Sequence, residues 1–335
     1  KIHLFGVNMN IDDISERSWA EIDLDALESN YNAIKDYTGG KEIMAVVKAN
    51  AYGHGDAGVC RALEAIGTKY FCVSNVWEAQ SLREAGIQGN ILIFGYADLW
   101  QIKEAEKLDF IYTIAGLGYA KALSDFAAEN GMTIRTHIKL DTGMTRLGLE
   151  SEDELDEIMG LDGIRVEGIY THYSVADSNA ASDVEFTKSQ HENFIRLAGG
   201  RGLIAHTQNS GSILYHTDFP EEYVRAGIIL YGQKPSALLD IPIELKPILT
   251  LKSRISQIKE IPAGRFISYG RTFVSEKPMK IAVVPIGYAD GYPRLLSGKA
   301  KMTVCGRQAA VLGTVCMDMA MLDVTDISEV RVGDT

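Results

Sequence analysis

The chain has 335 residues, 46% of them apolar and 23% charged, with a net charge of −12 and a sequence pI near 5.1. This length exceeds the size at which single cores usually stop growing, so two domains are expected, and the ordinary composition excludes a disordered chain. The acidic balance argues against a nucleic-acid partner, which needs a basic face to neutralise phosphates.

The four cysteines (Cys60, Cys72, Cys305, Cys316) are far apart and have no metal-ligand spacing to the seven histidines. They read as reduced thiols of a cytoplasmic protein, with no metal site. No apolar run reaches the ~18 residues of a membrane helix, so no membrane contact is expected within this segment. Residues 1–16 lack periodicity and read as a linker or tag-like segment. Lys1, not Met, opens the chain, so an upstream part is expected.

In chain order, a strand at 18–24 (SWAEIDL) precedes a helix at 25–37. Apolar runs then recur at 43–48, 70–75, 91–95, 110–115, 134–140, 166–172, 203–208 and 223–230, with helical patterns between them at 57–66, 77–85, 117–130 and 182–198. Such alternation means parallel βαβ units. Eight repeats over roughly 200 residues predict a (β/α)8 barrel over 17–245, with a doubly wound sheet as the competing arrangement. From 246 to 335 the runs 248–258, 279–286, 301–305, 309–315 and 319–324 read as strands without intervening helices, a C-terminal all-β domain. The 18–24 strand suits that domain equally well.

Barrels place their chemistry at the C-terminal ends of the strands. Lys48 ends the first predicted strand; Lys139 and Arg146 end and follow the fifth. His172 ends the sixth, Asn209 and Ser210 follow the seventh, and Arg225 and Gly227 lie in the eighth. A lysine at an apolar mouth loses hydration, which favours its nucleophilic amine, although a strand-end lysine can equally snorkel to water. Tyr52 and the Gly53-His54-Gly55 turn offer a hydroxyl and backbone amides to an anion. The small-residue stretches 209–212 and 226–228 sit where barrels often hold phosphate. A lysine beside a phosphate cradle points to pyridoxal phosphate, with the lysine as the partner of its aldehyde.

The motifs "AVVKANAYGHG" (45–55), "HIKLDTGMTRLG" (137–148), "GIYTHYSVAD" (168–177), "TQNSGS" (207–212), "VRAGIILYG" (224–232), "ISYGRTF" (267–273), "GYADGYPR" (287–294) and "GTVCMDM" (313–319) resemble, in order, those of the alanine racemases. The resemblance implies that Lys48 carries pyridoxal 5'-phosphate and acts as one base, and that Tyr269 is the opposite base, supplied by the partner in a homodimer with shared active sites. It implies Arg225 at the pyridine nitrogen with His172 behind it, and Arg146 and the Met317 backbone N–H at the substrate carboxylate. Tyr52, Asn209, Ser210, Gly227 and Ile228 would complete the cofactor site, and Lys139 matches a position that is carbamylated in many members.

Plainer readings stand beside these. His172, Tyr269 and Met317 suit a core, Lys139 suits a pair with Asp141, Cys316 suits packing, and "ADGYP" suits a turn as well as a substrate entrance. The chain ends at Thr335, before strands that close the family's β domain. Some relatives are serine or alanine racemases of glycopeptide (vancomycin) resistance, in which the racemase is the cytoplasmic domain of a membrane-anchored protein. The expected activity is racemisation of alanine, then serine, supplying D-amino acid for cell-wall precursors. The alternatives are a basic-amino-acid decarboxylase of the same fold and a non-catalytic carrier barrel.

Overall fold

The computed structural model describes residues 2–4, 7–9 and 17–335. The chain opens with β1 (Ile2–Leu4) and β2 (Val7–Met9), which pair with each other. The rest of the segment read as a linker lies outside the described residues. Beyond it the chain forms two compact units, one over Asp23–Ile248 and one that joins Leu249–Thr335 to β3 (Ser18–Ile22).

In the first unit, β4 (Glu42–Val46), β5 (Tyr70–Val73), β6 (Asn90–Ile93), β7 (Phe110–Ile114), β8 (Ile134–Lys139), β9 (Ile164–Tyr170), β10 (Ile204–His206) and β11 (Tyr223–Ala226) close a parallel barrel. The order around it is β10-β11-β4-β5-β6-β7-β8-β9, so the doubly wound alternative is excluded. Strands covered on both faces read as continuous apolar runs, as in Ile43–Val47 and Ile91–Ile93, all buried.

Helix α1 (Leu24–Tyr37) precedes the barrel; a turn, α2 (Lys48–Gly53), and α3 (Asp56–Ala65) follow β4. The remaining connections carry α4 (Val76–Glu84), α5 (Leu99–Glu104), α6 (Leu117–Asn130), α7 (Glu152–Met159), α8 (Ala181–Ala198) and α9 (Ser210–Tyr215). Asp23, Asn75, Ser151 and Asn209 accept from backbone N–H groups at the starts of α1, α4, α7 and α9, which fixes where those helices begin.

Several predicted strands stop short. β9 ends at Tyr170, so His172 lies past the strand, and β11 ends at Ala226, so Gly227 lies beyond it. The apolar stretch that follows is a 3-10 turn, Ile228–Tyr231, whose Ile229, Leu230 and Tyr231 are buried without belonging to the sheet. Burial wrote the apolar pattern there; the hydrogen-bond ladder did not.

The barrel interior holds both apolar and polar residues. Met44, Val46, Cys72, Leu92 and Ile111 form an apolar side. His137 on β8, His206 on β10 and Arg225 on β11 are buried polar residues, Arg225 in register beside Met44. Gly168 is in register with His137, and a Cβ there would lie 2.5 Å from the imidazole, so only glycine leaves the ring its space.

In the second unit, β12 (Leu249–Ser253) pairs antiparallel with β3, from Leu249↔Ile22 to Ser253↔Ser18. β13 (Gln257–Ile261), β14 (Phe266–Ile267), β15 (Phe273–Val274), β16 (Met279–Val284), β17 (Lys301–Val304), β18 (Arg307–Leu312) and β19 (Ala320–Asp323) follow. Five of them make one sheet in the order β13-β16-β19-β18-β17, over a core that includes Val284, Val304, Val311 and Leu322. The run expected as one strand at 248–258 is two. At the break, buried Ile255 turns its backbone to Gly333 and Asp334, donating to Asp334 O and accepting from Gly333 N, both at 2.8 Å.

Substituting Gly168→Ala is expected to destabilise the fold by about 1–3 kcal/mol through the imidazole clash, read by urea unfolding. Most of that cost should vanish in a His137→Ala background. An undiminished cost there would place the clash elsewhere.

Candidate active site

A cavity of about 280 Å³ opens among the residues that follow the barrel strands, and nine of the predicted positions line it: Lys48, Tyr52, Lys139, Arg146, His172, Asn209, Ser210, Arg225 and Gly227. Ile228 is not among the lining residues; it begins the 3-10 turn beyond Gly227.

Lys48 does not end its strand. β4 stops at Val46, and Ala49, Asn50, Ala51 and Tyr52 all take positive φ (53, 55, 52 and 55°), so the chain leaves Lys48 in a left-handed turn. Such a conformation costs non-glycine residues roughly 1–2 kcal/mol each. The glycines of Gly53-His54-Gly55 close the turn and do not face the cavity. The amides expected there for an anion are taken, because His54 N–H donates to Ala51 O and Gly55 N–H to Asn50 O, both at 3.1 Å.

Polar atoms of the cavity lining converge elsewhere, at Gly227. Gly227 N–H donates to Ser210 Oγ at 3.1 Å. A Cβ on Gly227 would stand 2.9 Å from the Tyr52 hydroxyl and 3.6 Å from Ser210 Oγ. Two hydroxyls and a bare backbone therefore face one space that a side chain would fill.

Arg225 is buried in the cavity lining and has no carboxylate partner among the described residues. Its guanidinium donates to Thr171 O (2.6 Å), Thr207 O (3.0 Å) and His206 O. It also meets His206 Nδ1 at 2.9 Å and His172 Nδ1 at 3.4 Å. Guanidinium can only donate, so His206 accepts at Nδ1 and carries its proton on Nε2, which donates to His137 Nδ1 at 2.9 Å. His137 Nε2 then bears a hydrogen with no partner. Burial, then the Arg225 cation, hold His206 and His172 well below the ordinary histidine value, and burial takes His137 down to about 4. All three rings are neutral near pH 7, so Arg225 keeps the positive charge. His172 lines the cavity and is not a plain core residue.

Lys139 does not pair with Asp141. Its amine donates to Leu140 O at 2.5 Å, while the Asp141 carboxylate accepts the backbone N–H groups of Gly143 (2.9 Å), Thr145 (3.1 Å) and Arg146 (3.0 Å). Asp141 thereby shapes the loop that presents Arg146. Burial, reinforced by the Arg225 charge, pushes the Lys139 amine down to about 8. The cavity lining thus holds four cationic side chains (Lys48, Lys139, Arg146, Arg225) and no carboxylate, in a chain of net charge −12.

Sequence reading missed Ser74 and Gly95, which follow the second and third barrel strands, and Phe94, Leu147 and Tyr170. The strand-end rule could have found the first two. Tyr170 was hidden in an apolar run: its ring stacks on His206 at 4.7 Å and lies 5.3 Å from the Arg225 guanidinium carbon.

Tyr269 and Met317 belong to the second unit, on adjoining loops, and are exposed (68% and 54%). Ser268 Oγ donates to Thr314 O, Thr314 Oγ1 donates to Tyr269 O at 3.0 Å, and Ser268 Oγ lies 3.4 Å from Cys316 Sγ. Neither residue is core. The "ADGYP" turn is held by its own aspartate: Asp290 accepts from Gly287 N–H at 2.9 Å and pairs with Arg17 at 2.7 Å.

The model of the alanine racemase N-terminal domain matches residues 22–235, and that of the C-terminal domain matches 248–335. An alanine racemase of Clostridium perfringens is 43% identical over 327 residues, covering 94% of this chain and 84% of that protein. The chain belongs to the alanine racemase family. The solved alanine racemase of Clostridium difficile 630 superposes with a TM-score of 0.88 at 35% identity, over 96% of this chain and 86% of that one. A histidine racemase from Leuconostoc mesenteroides gives 0.88 at 28% identity, over 96% and 87%.

Alanine racemases are isomerases that depend on pyridoxal 5'-phosphate. The cradle at Gly227 and the carboxylate-free, cationic lining fit that phosphorylated cofactor. Among the described residues no helix is long and apolar enough to cross a membrane, and no group of side chains is suited to a metal ion.

A lysine whose value falls from 10.5 to about 8 on folding binds fewer protons in the folded than in the unfolded chain between those pH values. Its destabilising effect is full below about pH 8 and is relieved as pH rises towards 10.5. In bicarbonate-free buffer, the protein should therefore gain about 1–2 kcal/mol on Lys139→Met between pH 8 and 9.5, measured by urea unfolding. A flat difference would mean that Lys139 titrates as in water.

Proposed function

We propose that the protein racemises alanine, with serine as a second substrate, by a two-base reaction. The observation that carries this reading is the cavity floor, where a buried arginine and three cationic neighbours stand without a carboxylate. Pyridoxal phosphate, when bound, draws electrons from the substrate's α-carbon and makes its proton removable. In this reading Lys48 holds the cofactor and moves a proton on one face of the substrate. Tyr52, Ser210, Gly227 and the Ile228 backbone hold the phosphate, with Asn209 and His172 ordering the wall behind it. Arg225 is the partner of the ring nitrogen. A guanidinium donates a hydrogen bond there but gives up no proton, so the electron sink stays weak and simple reprotonation is favoured over deeper chemistry. The decarboxylase alternative needs a carboxylate at this point, and the lining has none among the described residues.

Tyr269 is proposed as the base on the opposite face and the Met317 N–H as a donor, with Arg146, to the substrate carboxylate. Both come from a second copy of the chain in a homodimer with shared sites. Their exposure and their adjoining loops support that role. The carrier-barrel alternative leaves these loops without a use. Lys139, with a value of about 8, has a neutral amine fraction near neutrality that suits reaction with carbon dioxide. We place the carbamate it would form beside Arg146 as an anion that steadies that cation. The biological setting we infer is a cytoplasmic supply of D-amino acid for the cell wall.

Chiral analysis of L-alanine and L-serine incubated with the loaded protein tests the activity. Both should racemise, alanine faster; a protein inert towards both defeats the reading. Tyr269→Phe should abolish racemisation by at least a hundredfold, yet still exchange the α-proton of D-alanine in deuterated water and leave L-alanine unexchanged. Equal exchange of both enantiomers would remove Tyr269 as the second base.

Shared sites make a second test. Lys48→Ala and Tyr269→Phe proteins, each inactive, should regain part of the activity when mixed, through hybrids with one intact site. Inactive mixtures with proven subunit exchange would count against the shared arrangement.

A further inference from the structure

The left-handed turn after Lys48 needs something to hold it. Four successive non-glycine residues, Ala49–Tyr52, sit at positive φ, where each prefers the right-handed region. Most bonds of the turn are internal: Ala51 N–H to Val47 O (2.8 Å), His54 N–H to Ala51 O (3.1 Å) and Gly55 N–H to Asn50 O (3.1 Å). Ala49 N–H, on the residue that follows Lys48, is bonded differently. It donates to Glu78 Oε1 at 2.9 Å. Among the described residues, Glu78 is the one side chain from outside residues 47–56 that bonds the backbone of this turn.

Glu78 is itself fixed. Its other oxygen accepts Ser74 N–H at 2.7 Å and Ser74 Oγ–H at 2.8 Å, and its own N–H donates to Asn75 Oδ1 at 3.0 Å in the first turn of α4. Ser74 and Lys48 both line the cavity. One carboxylate therefore ties the segment after β5 to the segment after β4, through three donors and no cation. Charge-assisted bonds of this kind are roughly twice as strong as neutral ones.

We propose that Glu78 is a positioning residue for Lys48: its carboxylate locks the left-handed turn and thereby the direction from which the lysine enters the cavity. This rests on the reading of Lys48 as the cofactor-carrying base. The design is directional. Oε2 faces two donors and Oε1 faces one, so no face of the carboxylate can be replaced by an N–H group.

Glu78→Gln keeps the shape but must turn an NH2 group towards Ala49 N–H or Ser74. Its kcat for alanine is expected to fall at least tenfold, with KM changed less than threefold and the thermal midpoint of the apoprotein nearly kept. Glycine accepts positive φ without a Cβ penalty, so Ala49→Gly should restore at least threefold of the lost kcat to Glu78→Gln, taken relative to Ala49→Gly alone. No rescue would assign Glu78 to capping of α4 and overturn the proposal.

A second measurement needs no substitution at Glu78 and no cofactor. In the unsubstituted apoprotein, the amide of Ala49, an exposed residue, should exchange hydrogen at least tenfold more slowly than an unbonded amide. Exchange at the unbonded rate would defeat the proposal even if Glu78→Gln failed to fold. Failure of the underlying reading is separately visible: borohydride reduction of the loaded protein would then label a lysine other than Lys48, whatever the amide does.

Discussion

The barrel is organised around a buried guanidinium that has no anion beside it among the described residues. Arg225 is solvated by three carbonyl oxygens and by imidazole nitrogen, and that choice of partners propagates. Because every one of its contacts must accept, His206 is forced into one tautomer, which dictates the tautomer of His137. Because both rings must then fit inside the barrel, the facing position on β9 has to be glycine. A carboxylate in place of these acceptors would neutralise the cation and make the floor of the cavity a proton reservoir. With neutral acceptors, the floor is a fixed positive charge that neither gains nor loses a proton over the working pH range.

The same logic separates the roles of the acidic residues near the site. Asp141 and Glu78 both approach the cavity from behind, yet neither presents its charge to it. Each spends its oxygens on backbone N–H groups, one shaping the loop before Arg146 and the other binding the segment after Lys48. Negative charge in this neighbourhood sets backbone geometry, and positive charge faces the ligand space. Each carboxylate accepts three hydrogen bonds.

Much of this was legible in the sequence because barrel strands are periodic and their ends are chemically unlike their middles. The strand–helix alternation predicted the barrel, and the residues at strand ends predicted most of the cavity lining. What escaped was whatever local pattern cannot encode. The hand of the turn at Ala49–Tyr52 escaped because alanine and tyrosine carry no left-handed signature and a single asparagine does not specify four such residues; internal bonds and the one to Glu78 hold it. Tyr170 lies within an apolar run, and its hydroxyl meets Thr113 Oγ1 inside the barrel at 2.9 Å, a pairing that local pattern does not encode. The break at Ile255 was invisible because its partners, Gly333 and Asp334, lie nearly eighty residues away. The glycine turn at 53–55 offers no anion site because the His54 and Gly55 amides are taken by the Ala51 and Asn50 carbonyls of the same turn.

The contrast between a cationic cavity and an acidic chain also acts on what may approach. Beyond a Debye length of about 8 Å at physiological ionic strength, exposed charges are largely screened, so an arriving molecule senses only the patch of surface nearest to it. A small dianion that enters the cavity meets Lys48, Arg146 and Arg225 and no carboxylate side chain of the lining. Positive charge is thus concentrated where a compact anion fits, while the rest of the chain carries the acidic excess.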